Sequence, residues 1–371
     1  MNETATTPGE TIEIGGLPVV TLERAQLADP ERPVFTRAQI LPGRGMMTLQ
    51  IQVDLPGHGA FDLLTAPPLA EARELLRPEA EPFPGNHSYM IGGALLLPYA
   101  NRIRGRLSDD GRTIETEVAG RTVLLPANAG GRRPGAEQYA MHGLLLDAPV
   151  TEQERETTAE ADVLRGTLQA GDFGGRWPSR TEIRWENVLR SDSFTFGVIA
   201  VNVGDEILPM GIGWHPYFNL PSGRREQARL HIPARRRTPV NDYDEVLPTG
   251  EVVPLAGTPY DFSMPGGREV GDLYLDDCFV DLARSGKGEA TAEIVDPAGG
   301  LGLRILAASP RIQAFQVYAP PEKSFLVVEP QFNWADPFGS QWPAGTDTGM
   351  ALLKPGEAAL YEARLELFRP E

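Results

Sequence analysis

Prolines and glycines recur every few residues along this chain, 34 of one and 40 of the other, spread throughout rather than concentrated. Proline removes a backbone donor and fixes φ, and glycine weakens helices, so breakers at this spacing disfavour long helices and leave short strands joined by turns. Strand patterns fill the intervals. Residues 113–117 and 122–125 flank Ala119-Gly120, and 181–189 is followed by 193–203 across Ser191-Asp192; both predict antiparallel hairpins. Phe194, Phe196, Val198 and Ala200 fall on one face at period two, as a half-buried strand requires. One helix is expected over 68–77, where Pro67-Pro68 suits a first turn and Leu69, Ala72, Leu75 and Leu76 form a stripe that would cover a sheet edge or barrel end.

At 371 residues the chain is long enough for one large β-sandwich. No linker or internal repeat divides it, so 1–16 reads as a flexible N-terminal segment and 17–371 as a single domain. A formal charge of -17 repels nucleic acid and anionic membrane, and neither is an expected partner. Cys278 is the only cysteine, which rules out an intrachain disulfide and a cysteine-based zinc cluster. The N-terminus carries Glu3, Glu10 and Glu13 but no basic region followed by an apolar run, and no stretch reaches ~18 apolar residues, so cytoplasmic residence is the expectation.

Chemistry concentrates in a few motifs. Trp214-His215-Pro216-Tyr217-Phe218-Asn219-Leu220 sets one of five histidines beside a rigid proline and among aromatic rings of the kind that sugars stack on. The plain alternative is a buried imidazole satisfied by a backbone carbonyl. In Leu326-Val327-Val328-Glu329-Pro330-Gln331 a carboxylate ends an apolar strand ahead of a proline; burial would raise its pKa and nearby cations would lower it. The run from Leu95 to Ile103 delivers Asn101 and Arg102, both donors to hydroxyls, at its end. Met141-His142-Gly143 adds a histidine beside a glycine that permits close backbone approach, and Asp276-Asp277 adds a carboxylate pair.

In this order and spacing the motifs resemble the aldose 1-epimerases, also called galactose mutarotases. The resemblance runs from roughly Tyr89 to Phe368, through Tyr99-Ala100-Asn101-Arg102-Ile103, His142-Gly143, the His215 segment, Leu247-Pro248-Thr249-Gly250-Glu251, Gly257-Thr258-Pro259-Tyr260-Asp261-Phe262, Asp276 near Phe279, Tyr318, Glu329-Pro330 and Leu353-Lys354-Pro355-Gly356-Glu357. It implies a large antiparallel β-sandwich, galactose mutarotase-like, with the sugar in a cleft on one curved sheet. Carried over residue by residue, Glu329 matches the general base and His215 the general acid. Arg102, His142 and Asp276 match sugar-orienting groups, with Asn101 beside them and Tyr217 as a further substrate-binding residue; no metal or cofactor is implied. Two positions depart from the pattern: Leu144 follows Gly143 where a second glycine is common, and Asp276-Asp277 stands where Asp followed by His or Asn is usual, alignment through Phe279 selecting Asp276.

The implied activity is interconversion of α and β anomers of a free aldose, which removes the O1 proton of a hemiacetal while protonating its ring oxygen. At their ordinary values of ~4.3 and ~6.5, Glu329 is ionised at neutral pH and His215 can carry a proton. Three other readings stay open. Arg224, Arg225, Arg229, Arg235, Arg236 and Arg237 suggest a hexose-phosphate 1-epimerase of the same superfamily, or simply a solvated loop and strand. A non-catalytic carbohydrate-binding protein would keep the aromatic cleft, and a glycan-cleaving enzyme would need a second carboxylate such as Asp276.

Overall fold

Alternating apolar and polar residues build two large antiparallel sheets in the computed structural model, which describes residues 12–24 and 31–370. The antiparallel β-sandwich that the resemblance implies is the fold observed. One sheet has eleven strands. Its middle runs, in spatial order, Ala234–Thr238, Leu275–Leu282, Ala314–Ala319, Phe325–Gln331, Gly213–Asn219, Gly93–Leu96 and Met47–Leu55. The other has nine, with Asp162–Gly171, Thr181–Leu189, Ser193–Asn202, Ala358–Phe368 and Leu301–Ala307 side by side.

Both predicted hairpins are present. Val118 pairs with Arg121 across Ala119-Gly120, whose φ values of 50° and 78° are those of a tight turn matching the strand twist. Leu189 pairs with Phe194 across the second turn. Phe194, Phe196, Val198 and Ala200 are all buried, and they meet the eleven-stranded sheet in one core that also takes Trp185, Trp214, Phe218 and Val328. Phe196 stacks on Trp214 with ring centroids 5.5 Å apart.

The expected helix forms as Leu69–Leu75, starting after Pro68. Ala72 and Leu76 pack with Leu41, Met47 and Leu49 in a satellite cluster, so the helix covers the second face of strands near one end of the larger sheet. Among the described residues no helix is long and apolar enough to cross a membrane. Residues 1–11 of the expected flexible segment lie outside the described residues, while Glu13–Ile14 pairs with Leu17–Pro18.

Candidate active site

Strand alternation decides which face of the sheet each side chain takes. In Gly213–Asn219, Trp214 and Phe218 enter the core, which sends His215 and Tyr217 to the opposite face. Trp214 therefore supports the imidazole from behind the sheet rather than flanking it. The ring neighbours of His215 are Tyr217, stacked at 4.9 Å, and His142, edge-on at 5.0 Å.

Register then brings distant motifs together. Gly213 pairs with Gln331 and Tyr217 with Val327, so His215 lies opposite Glu329; regular pairing lapses between these positions, where Pro216 and Pro330 each lack an N–H. Ala94 pairs with His215, Glu329 with Gln316, Gln316 with Cys278, and Cys278 with Thr238. Six adjacent strands thus contribute one row, in which the acid and base candidates stand second and third. His215 Nε2 stands 3.4 Å from Glu329 Oε1, at 5 % and 2 % residue exposure.

Asn101 and Arg102 arrive by a different route from the one the sequence suggests. The apolar strand stops at Leu96, the chain passes through a cis Leu97–Pro98 bond, and Arg102–Ile103 forms a separate short strand paired with Gln138–Met141. Asn101 and His142 both adopt left-handed backbone, with φ of 61° and 64°, and the His142 N–H donates to the Asn101 carbonyl at 2.9 Å. Asn and His are among the residues that tolerate this conformation best. Gly143 continues the turn at φ 85°, and a Cβ there would collide with the Leu97 carbonyl. That is the close approach expected at this glycine.

A buried polar network lies beside the central pair. Arg102 Nη1 donates to Asn101 Oδ1 at 2.9 Å, Asn101 Nδ2 donates to Gln316 Oε1 at 3.0 Å, and Gln316 Nε2 donates to Asp276 Oδ1 at 2.6 Å. Arg102 Nη2 closes the ring on Asp276 Oδ2 at 3.4 Å. Asp276 is the carboxylate that joins this site. Asp277 points the other way, to Arg237 at 2.5 Å and to the Tyr243 hydroxyl at 2.8 Å.

Three polar atoms of the buried cluster meet no hydrogen-bond partner within the protein: Glu329 Oε2, His215 Nδ1 and His142 Nδ1. Buried polar groups are usually hydrogen-bonded, and these three atoms keep hydrogen-bonding capacity that the protein does not use. Burial also dominates the electrostatics. It pushes Glu329 well above 4.5, with Asp276 adding and Arg102 opposing, and it lowers His215 to about 3, with Arg102 contributing in the same direction. His142 is driven down by burial, then by His215 and Arg102. Burial likewise raises Asp276 against the pull of Arg102. Burial thus works against the charged form of both groups, away from the ionised Glu329 and protonated His215 that ordinary values give. The charged pair and the uncharged pair contain the same single proton, and the uncharged one avoids desolvating two charges.

Residues that the motifs did not single out pack around the pair. Tyr89 packs on His142 at 4.9 Å, whereas its neighbour His87 turns away to the Leu75 carbonyl. Gln316 links Asn101 to Asp276, yet nothing in an isolated glutamine betrays that position. Burial pushes the Cys278 thiol up to about 12, so it is no nucleophile. The arginine cluster is engaged elsewhere: Arg235 pairs with Asp281, Arg236 donates to the Val252 carbonyl, Arg237 holds Asp277, and Arg225 is buried against the carbonyls of Gly271, Leu273 and Ala319. A groove of about 770 Å3 on the other sheet, lined by Arg165, Arg184, Glu186, Ile199 and Leu360, contains no histidine.

The family model described as aldose 1-epimerase matches residues 51–366, extending further toward the N-terminus than the motif blocks. A maltose epimerase from Levilactobacillus brevis is 26% identical over 212 residues, 53% of this chain and 57% of that protein, so the match spans little more than half of the relative's length. Among solved structures, a galactose mutarotase-like protein from Clostridium acetobutylicum aligns with a TM-score of 0.71 at 17% identity, covering 95% of this chain and 99% of that one. An aldose epimerase homologue from C. elegans gives 0.68 at 16% identity, over 95% and 100%. A galactose 1-epimerase from Lactobacillus acidophilus gives 0.64 at 17%, over 96% and 100%. These structural matches speak for a shared fold.

Proposed function

The chain belongs to the aldose 1-epimerase family, and on that premise we propose that it interconverts the α and β anomers of a free reducing sugar by opening and reclosing the hemiacetal ring. Glu329 is the base at O1 and His215 the acid at the ring oxygen. As O1 loses its proton to the carboxylate, the C1–O5 bond breaks and O5 takes a proton from the imidazolium, leaving an aldehyde. Rotation about C1–C2 and reclosure with the roles reversed yield the other anomer. The steps are redox-neutral proton transfers, and the reading assigns no metal or cofactor to them.

The observation that carries the reading is the 3.4 Å approach of His215 Nε2 to Glu329 Oε1, with Oε2 left without a protein partner. The uncharged pair that burial favours reaches the working form by moving its single proton from Glu329 to His215. A sugar O1–H donating to the carboxylate favours that shift, because hydrogen bonds to a charged form stabilise it. Arg102, Asn101, His142 and Asp276 supply the donors and acceptors that orient the ring hydroxyls, and Tyr217 backs the imidazole. The reading takes residues 17–371 as one domain, supported by a core cluster that runs from Leu22 to Leu365.

Polarimetry or exchange NMR on glucose, galactose, xylose and arabinose tests the proposal. Glu329→Gln and His215→Asn should each slow anomer exchange by ~10²- to 10⁴-fold while the variants remain folded. Activity retained in both would reject the assigned roles. Sugar binding with no exchange in the parent protein would point to the carbohydrate-binding alternative.

A further inference from the structure

The strand that carries Arg102 is two residues long, Arg102–Ile103, and one of its edges pairs with Gln138–Met141. A ladder so short fixes little by itself. Its other edge is taken by residues 333–336, which follow the strand bearing Glu329 after Phe332. Asn333 lays its side-chain amide along Ala100: Oδ1 accepts the Ala100 N–H at 3.0 Å, and Nδ2 donates to the Ala100 carbonyl at 2.9 Å. Asp336 takes the next positions along. Its N–H donates to the Arg102 carbonyl at 2.6 Å, and its Oδ1 accepts the Arg104 N–H at 2.9 Å. Ala100, Arg102 and Arg104 thus offer their backbone to one side, as alternate residues of an extended segment do, while the Asn101 carbonyl accepts the His142 N–H on the other.

Two side chains here do what the backbone of a neighbouring strand does in a sheet. Both residues are buried, Asn333 at 0 % and Asp336 at 2 % exposure, so water does not compete for these bonds. Glycines leave the space for them: a Cβ on Gly211 would collide with Asn333 Oδ1, and one on Gly339 with Asp336 Oδ2. The segment is itself anchored. The Phe332 N–H donates to the carbonyl of Ile212, next to the strand of His215, at 2.8 Å, and the Trp342 indole donates to the Asp336 carbonyl at 2.9 Å.

We infer that Asn333 and Asp336 are positioning residues for Arg102, clamping residues 100–104 to the end of the Glu329 strand so that guanidinium and carboxylate keep a fixed spacing. The inference rests on the epimerase reading for the sugar that Arg102 orients. Both residues act through the backbone of the segment. A donor displaced by a fraction of an ångström makes a longer, bent hydrogen bond to its hydroxyl, and the loss falls on sugar binding more than on proton transfer.

Calorimetry with methyl galactoside and methyl glucoside, which cannot ring-open, and anomer exchange of galactose and glucose test the clamp together. Asp336→Ala should weaken glycoside binding and raise KM by about tenfold, the scale of one hydrogen bond to a charged group, with kcat kept within about twofold. Asp336→Asn keeps an acceptor for the Arg104 N–H, tolerates the left-handed backbone at φ 47°, and should restore most of the affinity. Asn333→Ser, too short to reach both groups of Ala100, should raise KM in the same way. Arg102→Gln should weaken binding at least as much, and adding Asp336→Ala to it should cost little more, because the clamp acts through Arg102. Unchanged KM and affinity in Asp336→Ala and Asn333→Ser, a fall in kcat alone, or a loss in the double variant equal to the product of the single losses would overturn the inference. If glycoside binding depends on Asp336 in this way while no sugar's anomers are exchanged, the clamp stands and the epimerase reading falls.

Discussion

At His215 burial works against the imidazolium and at Glu329 against the carboxylate, which spreads the pH range over which the pair holds a single proton. Below about 3 both groups are protonated, and above the raised value of Glu329 both protons are gone. The acid limb of anomer exchange should therefore fall near 3, below an ordinary carboxylate, and the alkaline limb should lie above 4.5. NMR of the His215 ring protons checks the first statement, since the signal should stay flat between about pH 5 and 8; a midpoint near the usual histidine value would contradict it. Stability follows the same shifts. With its folded pKa lowered, His215 makes a contribution that is lost as pH drops below 6.5 toward 3, and with its folded pKa raised, Glu329 makes one that is lost as pH climbs above 4.5.

Among the elements, the turn at Gly143 couples backbone geometry to the site. A side chain there meets the Leu97 carbonyl while φ is 85°. Gly143→Ala should destabilise the fold by about 1–3 kcal/mol, read by urea unfolding, and should lower activity by displacing His142; an unchanged unfolding midpoint would refute the strain argument. Hairpins and the helix were legible in the sequence because their signals are local: breaker dipeptides, period-two apolar faces, a proline at a first turn. His215 and Glu329 were legible too, each in a motif whose prolines and apolar run are unusual for a solvated residue. The row that joins them was not, since it depends on pairing between strands whose register no local signal sets. Gln316 stayed silent for that reason, and of the six arginines, readable either as an anion site or as a solvated loop and strand, Arg225, Arg229, Arg235, Arg236 and Arg237 are committed to carbonyls or carboxylates of their own. Alternation alone, applied to Trp214 and His215, already separates the two onto opposite faces.

The whole molecule carries a formal charge of -17, and a field of that sign discriminates among sugars before any contact is made. A neutral sugar feels none of it. Raising salt from low to physiological ionic strength should leave kcat/KM for glucose within about twofold, whereas any turnover of glucose 6-phosphate should rise as the repulsion is screened. A phosphosugar rate that falls with salt would instead reveal a local cationic site strong enough to overcome the field. The six-stranded row has one more effect. Its side chains come from positions as far apart as Ala94 and Glu329, and proteins dominated by such long-range pairings fold slowly. Turnover after dilution from denaturant should consequently be the last signal to recover, later than secondary structure or tryptophan burial, which makes the enzyme its own reporter of complete assembly.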